Sequence, residues 1–186
     1  MKTRSYQLLF AYEYGVNGSS LSDKTALDFG NLGGIIRARA LYLSTSFPLI
    51  TDKQIEARRE QAAIFSAEIH NQTADIEKLI EIYGDEKPDW QFSSGGVDAA
   101  LYSAAAALDT GSCSGVIELE GAGLYILKRL ELLPDDYVSG LNGTLRYYAA
   151  TSLFNDSLSE PLNKLISGAV YADAYKRIRP EFMFVK

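Results

Sequence analysis

Few residues in this chain could carry out chemistry, and most of them stand alone. The only histidine, His70, sits beside Asn71 at what reads as a helix end, and the single cysteine, Cys113, has no second cysteine to pair with. Nucleophilic catalysis of the Ser-His-Asp or Cys-His kind needs an imidazole beside the nucleophile. Neither Cys113 nor any serine has a motif that would bring His70 there, so His70 reads as a helix-end residue and Cys113 as a small strand or turn residue. Carboxylates are densest at Asp85-Glu86 with Asp89, which reads as a solvated loop before it reads as a general-base site. The remaining acids are scattered over helical stretches, without the clustering that a metal requires. The glycine cluster Gly30-Asn31-Leu32-Gly33-Gly34 lacks the G-x-G-x-x-G spacing and runs into a strand, which argues against a phosphate loop and for a linker. No metal and no cofactor is expected. The aromatic positions say more: Tyr42 on a strand, Trp90 and Phe92 in a loop, and Tyr125 on a later strand. Such rings either fill a core or line an apolar groove for an extended peptide, and both readings stay open.

Composition narrows the function classes. The chain has 186 residues, 47% hydrophobic and 23% charged, which is globular rather than disordered and long enough for a real core. A net charge of -6, with no dense Lys/Arg cluster, argues against a nucleic-acid partner. No run is long enough to span a membrane as a helix. Near the N-terminus, Leu8-Leu9-Phe10-Ala11 is a short apolar run interrupted by Glu13, which does not read as a signal peptide. On this reading the chain is cytoplasmic or begins short of its natural start. The Asn-x-Ser/Thr triplets at Asn17, Asn71, Asn142 and Asn155 have no secretory eukaryotic context and are taken as composition.

The elements follow from periodicity and stop signals. Residues 4–15 read as a short helix, 16–20 as a loop, and 21–29 as one or two helical turns opened by Ser22 or Asp23. Residues 35–44 read as a strand. Thr51 and Gln54 form a capping box that opens a helix to about Asn71. A second helix starts at Thr73 or Asp75 and stops at Gly84; residues 85–96 read as a loop, and 99–108 as a small-residue helix ending at Asp109-Thr110-Gly111. Two apolar runs, Val116-Ile117 with Leu119 and residues 124–127, flank Gly121 and Gly123 as a hairpin. Beyond Pro134, Tyr137, Leu141, Leu145 and Tyr148 lie at spacings of four, four and three, which predicts a helix face. Residues 153–166 predict another helix, interrupted or started by Pro161 and ended by Gly168. A short strand at 169–171 and an irregular tail from Pro180 complete the chain. The fold class is α+β, a compact core flanked by helices.

Three pieces in order carry a family likeness: Leu108-Asp109-Thr110-Gly111, then Ser114-Gly115-Val116-Ile117, then Gly123-Leu124-Tyr125-Ile126-Leu127-Lys128. Together they resemble the end of a parvulin-type (rotamase) peptidyl-prolyl isomerase domain, and the likeness extends over residues 35–132. It implies a four-stranded antiparallel sheet with surrounding helices, a helical segment at 1–34 and another at 133–186. The flanks resemble the helical chaperone lobe of exported foldases of the PrsA and SurA type: residues 8–15 and 21–29 the end of its N-terminal half, residues 170–175 the end of its C-terminal region.

The resemblance also assigns the site. Tyr83-Gly84-Asp85 resembles the segment that ends in the family's active-site cysteine or aspartate, which makes Asp85 the candidate catalytic residue. The opening strand usually carries a histidine where this chain has Ala40, and the second histidine position is Tyr125. Asp89-Trp90-Gln91-Phe92 resembles the loop leading to the family's methionine, here Val97, with the pocket phenylalanine at Leu101. The implied substrate-binding set is Tyr42, Trp90, Phe92, Val97, Leu101 and Tyr125. The implied partner is an unfolded or proline-containing polypeptide, with a homodimer through the helical segments and an extracytoplasmic location. With both histidines replaced, the expected function is polypeptide binding with most catalysis lost. The alternatives are an active isomerase and a non-catalytic assembly module.

Overall fold

The computed structural model describes residues 2–84, 89–141 and 143–166. The centre of the fold is β1 (Ile36–Ser44), whose alternation sends Ile36, Ala38, Ala40 and Tyr42 to one face and Arg37, Arg39, Leu41 and Leu43 to the other. Both faces are covered, which is why the strand is apolar on both sides in its second half. It pairs antiparallel with β4 (Gly123–Leu130) from Arg37↔Leu130 to Ser44↔Gly123, and with β2 (Trp90–Phe92) from Ile36↔Phe92 to Ala38↔Trp90. β3 (Ile117–Leu119) folds onto β4 as the expected hairpin, with Gly121 at φ 71 in the turn.

These four strands are mutually antiparallel, as expected for residues 35–132, but the sheet does not end there. It has six strands in the order β3-β4-β1-β2-β5-β6 and is mixed, because β5 (Tyr137–Ser139) runs parallel to β2 before turning antiparallel into β6 (Gly143–Thr144). Two of the predicted elements are corrected by this. Residues 90–92 are a strand, not a loop, and the supposed helix face from Tyr137 to Leu141 is strand and turn. The cause is pairing that periodicity cannot see. The buried amide of Gln91 on β2 donates to Leu133 O (3.1 Å) and accepts from Leu133 N–H (3.0 Å), which brings the incoming chain alongside β2. Ser93 N–H then donates to Ser139 O, and a Cβ at Gly96 would stand 2.0 Å from that same carbonyl oxygen. Only glycine permits this approach.

Helices cover both faces of the sheet. α3 (Asp52–His70) opens with the complete Thr51–Gln54 capping box, and α4 (Ile76–Tyr83) with Asp75 accepting from Glu77 N–H. They bury Ala62, Phe65, Ile76 and Leu79 against Leu41, Leu43, Leu124 and Ile126. On the opposite face lies α5 (Ala99–Ala106), capped by the Asp98 carboxylate.

The flanks form a helical lobe. α1 (Lys2–Tyr14) and a 3-10 turn (Val16–Gly18) lead to α2 (Asp23–Leu32), whose N-cap is Ser22. The expected linker at 30–34 is thus mostly the last turn of α2, and Gly30 is a packing glycine: a Cβ there would lie 2.9 Å from Leu145 Cδ2. Residues 145–166 form one helix, α6, running past position 161 rather than starting there. The two flanks pack together as expected. Phe10 meets Ala150 and Phe154, Tyr6 Oη donates to Asn155 Oδ1 at 2.6 Å, and Arg146 pairs with Asp23 and Asp135, each at 2.6 Å, while donating to Leu21 O. A smaller cluster of Ile35, Val138 and Leu145 joins lobe to sheet. The predicted helix stop at Gly168, the strand at 169–171, the tail and the likeness at 170–175 lie outside the described residues.

Candidate functional site

The expected substrate-binding residues come together on the α5 face of the sheet. Strand alternation puts Tyr42, Trp90, Phe92 and Tyr125 on one side of β1, β2 and β4, because Ile36 pairs with Phe92, Ala38 with Trp90 and Tyr42 with Tyr125. Helical spacing of four puts Leu101 and Ala105 of α5 against them. Phe92 is 0% exposed, Leu101 5% and Tyr125 7%, whereas Tyr42, Trp90 and Val97 are half-buried around them.

The rings are locked by contacts with one another. Tyr42 and Tyr125 have ring centroids 4.7 Å apart, and Trp90 and Phe92 5.4 Å. Tyr42 Oη donates to Ala122 O at 3.0 Å, and a hydrogen bond links the Tyr125 and Tyr42 side chains. Burial, with the neighbouring Tyr42 and that bond adding to it, pushes the Tyr125 hydroxyl above its ordinary value of 10.0. At physiological pH it is a neutral phenol.

The two positions where the resemblance places histidines are diagonal neighbours. Ala40 pairs with Leu127, and Tyr125 pairs two positions along with Tyr42. Ala40 is 1% exposed and lies in one cluster with Ala38 and Ala105. Asp85 lies outside the described residues. The nearby carboxylate that is described, Asp89, points to the other face of the sheet, where Arg37 (2.8 Å) and Arg39 hold it.

That opposite face carries an ion-pair network which the sequence reading missed. Arg39 bridges Asp89 and Glu77, and Lys128 reaches Glu77 at 2.9 Å. Partial burial pushes the Glu77 carboxyl up, but hydrogen bonds from Lys128 and Arg39 outweigh it and hold the group below its ordinary 4.5. The signal was available: Arg37-x-Arg39 on a strand places two cations on one face, which then need carboxylates opposite. Cys113 sits beside this network, and burial pushes its thiol up, which suits an unreactive residue. Among the described residues no three His, Cys, Asp or Glu side chains are placed to hold a metal ion, and no helix is long and apolar enough to cross a membrane.

Among the described residues, surface cavities open elsewhere that the six expected residues do not line. One of about 340 Å³ lies between the 47–50 loop and α3, one of about 350 Å³ between α2 and the ends of β1 and β4, and one of about 260 Å³ in the lobe at Tyr6, Phe10 and Tyr147.

No family model matches the chain, and no curated protein matches it. Among solved structures it is similar to PrsA from Bacillus subtilis, with 19% identity and a TM-score of 0.42 over 90% of this chain and 62% of that one. It is also similar to the foldase protein PrsA from Streptococcus pneumoniae str. Canada MDR_19A, with 18% identity and a TM-score of 0.37 over 84% of this chain and 57% of that one. The chain thus spans less than two thirds of the length of either structure.

Proposed function

We propose that this chain is a foldase-like, polypeptide-binding protein of the parvulin type that acts outside the cytoplasm and has lost most isomerase catalysis. The observation that carries the reading is the Tyr42–Tyr125 pair, which fills the sheet surface where the resemblance places a histidine and ties both hydroxyls into local hydrogen bonds. Prolyl isomerisation needs no covalent step. Its barrier of about 18–20 kcal/mol is lowered by desolvating and twisting the amide, which requires an open groove with an ordered polar group beside it. Here the apolar groups of that face are spent on one another.

Polypeptide would instead be held at what remains open. Tyr42, Trp90 and Val97 stay half-exposed at the edge of the α5 cluster, and the lobe cavity adds Tyr6, Phe10 and Tyr147. Apolar burial at about 25 cal/mol per Å², less the cost of ordering the chain, gives weak and sequence-tolerant binding. α1 also exposes Leu8, Leu9 and Tyr12 on the side away from α6, which suits a homodimer through the helical segments. A second reading, a structural or assembly module, is favoured by the packing of the α5 cluster.

A coupled cis/trans assay on proline peptides, run beside binding of an unfolded polypeptide, tests this. The expected result is little acceleration, with weak binding reduced several-fold by Trp90→Ala or Tyr147→Ala. Robust isomerisation abolished by Asp85→Ala would establish an active isomerase instead. Absence of both binding and catalysis would leave the assembly module.

A further inference from the structure

The cavity between α2 and the ends of β1 and β4 has a chemical character of its own. Its walls are mixed: Leu27, Ile35, Leu130 and Leu132 form an apolar part, and Arg37, Arg129, Thr110 and Asn31 are among the polar groups beside it. At about 350 Å³ it stands at the small end of the ~300–1,000 Å³ range of ligand sites, so it takes an amino-acid-sized group rather than an extended chain.

Arg129 is what sets this cavity apart. In a chain of net charge -6, Arg37, Arg39, Arg59 and Arg146 each pair with a carboxylate. Arg129 meets none among the described residues; one of its terminal nitrogens donates to Ala106 O and Leu108 O at the end of α5. Arg129 is also one of the residues that line the cavity. A guanidinium presents planar, paired N–H groups that match a carboxylate. Glu131 also lines the cavity, which disfavours a dianion such as phosphate but leaves room for a single negative charge.

We infer that this cavity binds an apolar residue carrying a free carboxylate, namely the C-terminal residue of a peptide, with Arg129 holding the carboxylate and the leucine and isoleucine walls holding the side chain. The inference rests on the polypeptide-binding reading for the source of the carboxylate; the chemistry of the cavity stands without it.

The test titrates the full chain with three probes: an acetylated hexapeptide ending in leucine as the free acid, the same peptide as the C-terminal amide, and N-acetyl-leucine. The free acid is expected to bind at least tenfold more tightly than the amide, and Arg129→Met to weaken the acid at least tenfold while leaving the amide unchanged. Because Arg129 also caps α5, a second variant keeps the test independent of folding: Glu131→Gln removes the opposing charge and should tighten the acid several-fold. Equal binding of acid and amide, unaffected by either variant, would overturn the carboxylate site while leaving polypeptide binding intact. Arg129-dependent binding of N-acetyl-leucine alone would overturn the peptide assignment and give the site to small organic acids. No binding of any probe would overturn the inference altogether.

Discussion

Tyr42 on β1 and Tyr125 on β4 stand directly opposite each other in the sheet register, with ring centroids 4.7 Å apart and planes tilted by 34°. Their hydroxyls are in series, Tyr125 bonded to Tyr42 and Tyr42 to the carbonyl of Ala122 in the hairpin turn. The pair therefore does two things at once. It fills the α5 side of the sheet and ties the hairpin turn to β1. The reading of the chain as a binding protein turns on it.

Tyr125→Phe keeps the ring and removes the bond, so it should cost about 1 kcal/mol at neutral pH, as an ordinary hydrogen bond does. Its pH dependence is more specific. The Tyr125 hydroxyl is held above its ordinary 10.0, so its contribution is complete below that value and is lost as pH rises through the folded-state value. Urea midpoints measured from pH 8 to 11 should fall less steeply in Tyr125→Phe than in the wild type. Parallel curves would show that Tyr125 is not protected.

The Glu77 network should govern the acid side. Glu77 is held below its ordinary 4.5, so its contribution is present above 4.5 and is lost as pH falls through the folded-state value. Glu77→Gln should cost about 1 kcal/mol at pH 7, since the pairs are partly solvated. Below pH 4 the variant and wild type should converge. A constant gap down to pH 3 would mean that packing, not charge, accounts for the loss.

What could be read from the sequence follows how local each cause is. The capping box of α3, the strand at β1 and the hairpin at Gly121 depend on residues within a few positions of one another, and all three stand as expected. β5 was hidden because its three residues pair with β2, more than 40 positions upstream, and because Tyr137, Leu141, Leu145 and Tyr148 mimic a helical repeat across a turn at Gly140, which sits at φ 92. Gly96 was hidden for the same reason: its role is an approach to Ser139, far along the chain. At the site, Tyr42 and Tyr125 were legible as rings on strands, whereas Trp90 and Phe92 read as loop residues because β2 is only three residues long. Whether they faced a groove or one another depended on register, which no periodicity records. Arg37-x-Arg39 was readable as a paired-cation signal, but its partners Asp89 and Glu77 come from different elements.

The lobe should be sensitive at Gly18. This glycine has φ +81, and a Cβ there would lie 2.9 Å from Ala150 Cβ and 3.1 Å from Arg146 O on α6. Gly18→Ala combines a strained backbone with a forced separation from α6, so it should cost more than about 1 kcal/mol. Arg146→Met should also destabilise, since it releases Asp23, Asp135 and Leu21 O together. Denaturation followed by ring fluorescence and by circular dichroism tests both. A Gly18→Ala protein as stable as wild type would mean that the turn and α6 do not pack as described.

Placing histidines at the two positions to which the resemblance assigns them should not produce an isomerase. Ala40 is 1% exposed, sits beside Leu127 in the register, and shares a cluster with Ala38 and Ala105, small residues that let α5 lie close on the sheet. A histidine at position 40 needs volume that α5 already occupies. Overpacking of this kind costs roughly 1–3 kcal/mol, and a buried ring nitrogen without a partner adds about 1–3 kcal/mol. Tyr125→His in turn breaks the Tyr125–Tyr42 bond and frees part of the space the phenol ring fills. The double variant Ala40→His/Tyr125→His should therefore lose stability in urea and show no acceleration in a coupled cis/trans assay. Tyr125→His alone should remain folded and equally inactive, which separates lost folding from lost chemistry. If the double variant instead gained catalysis at wild-type stability, the α5 face would be a groove short only of its two rings, and the binding-protein reading would give way to that of an isomerase.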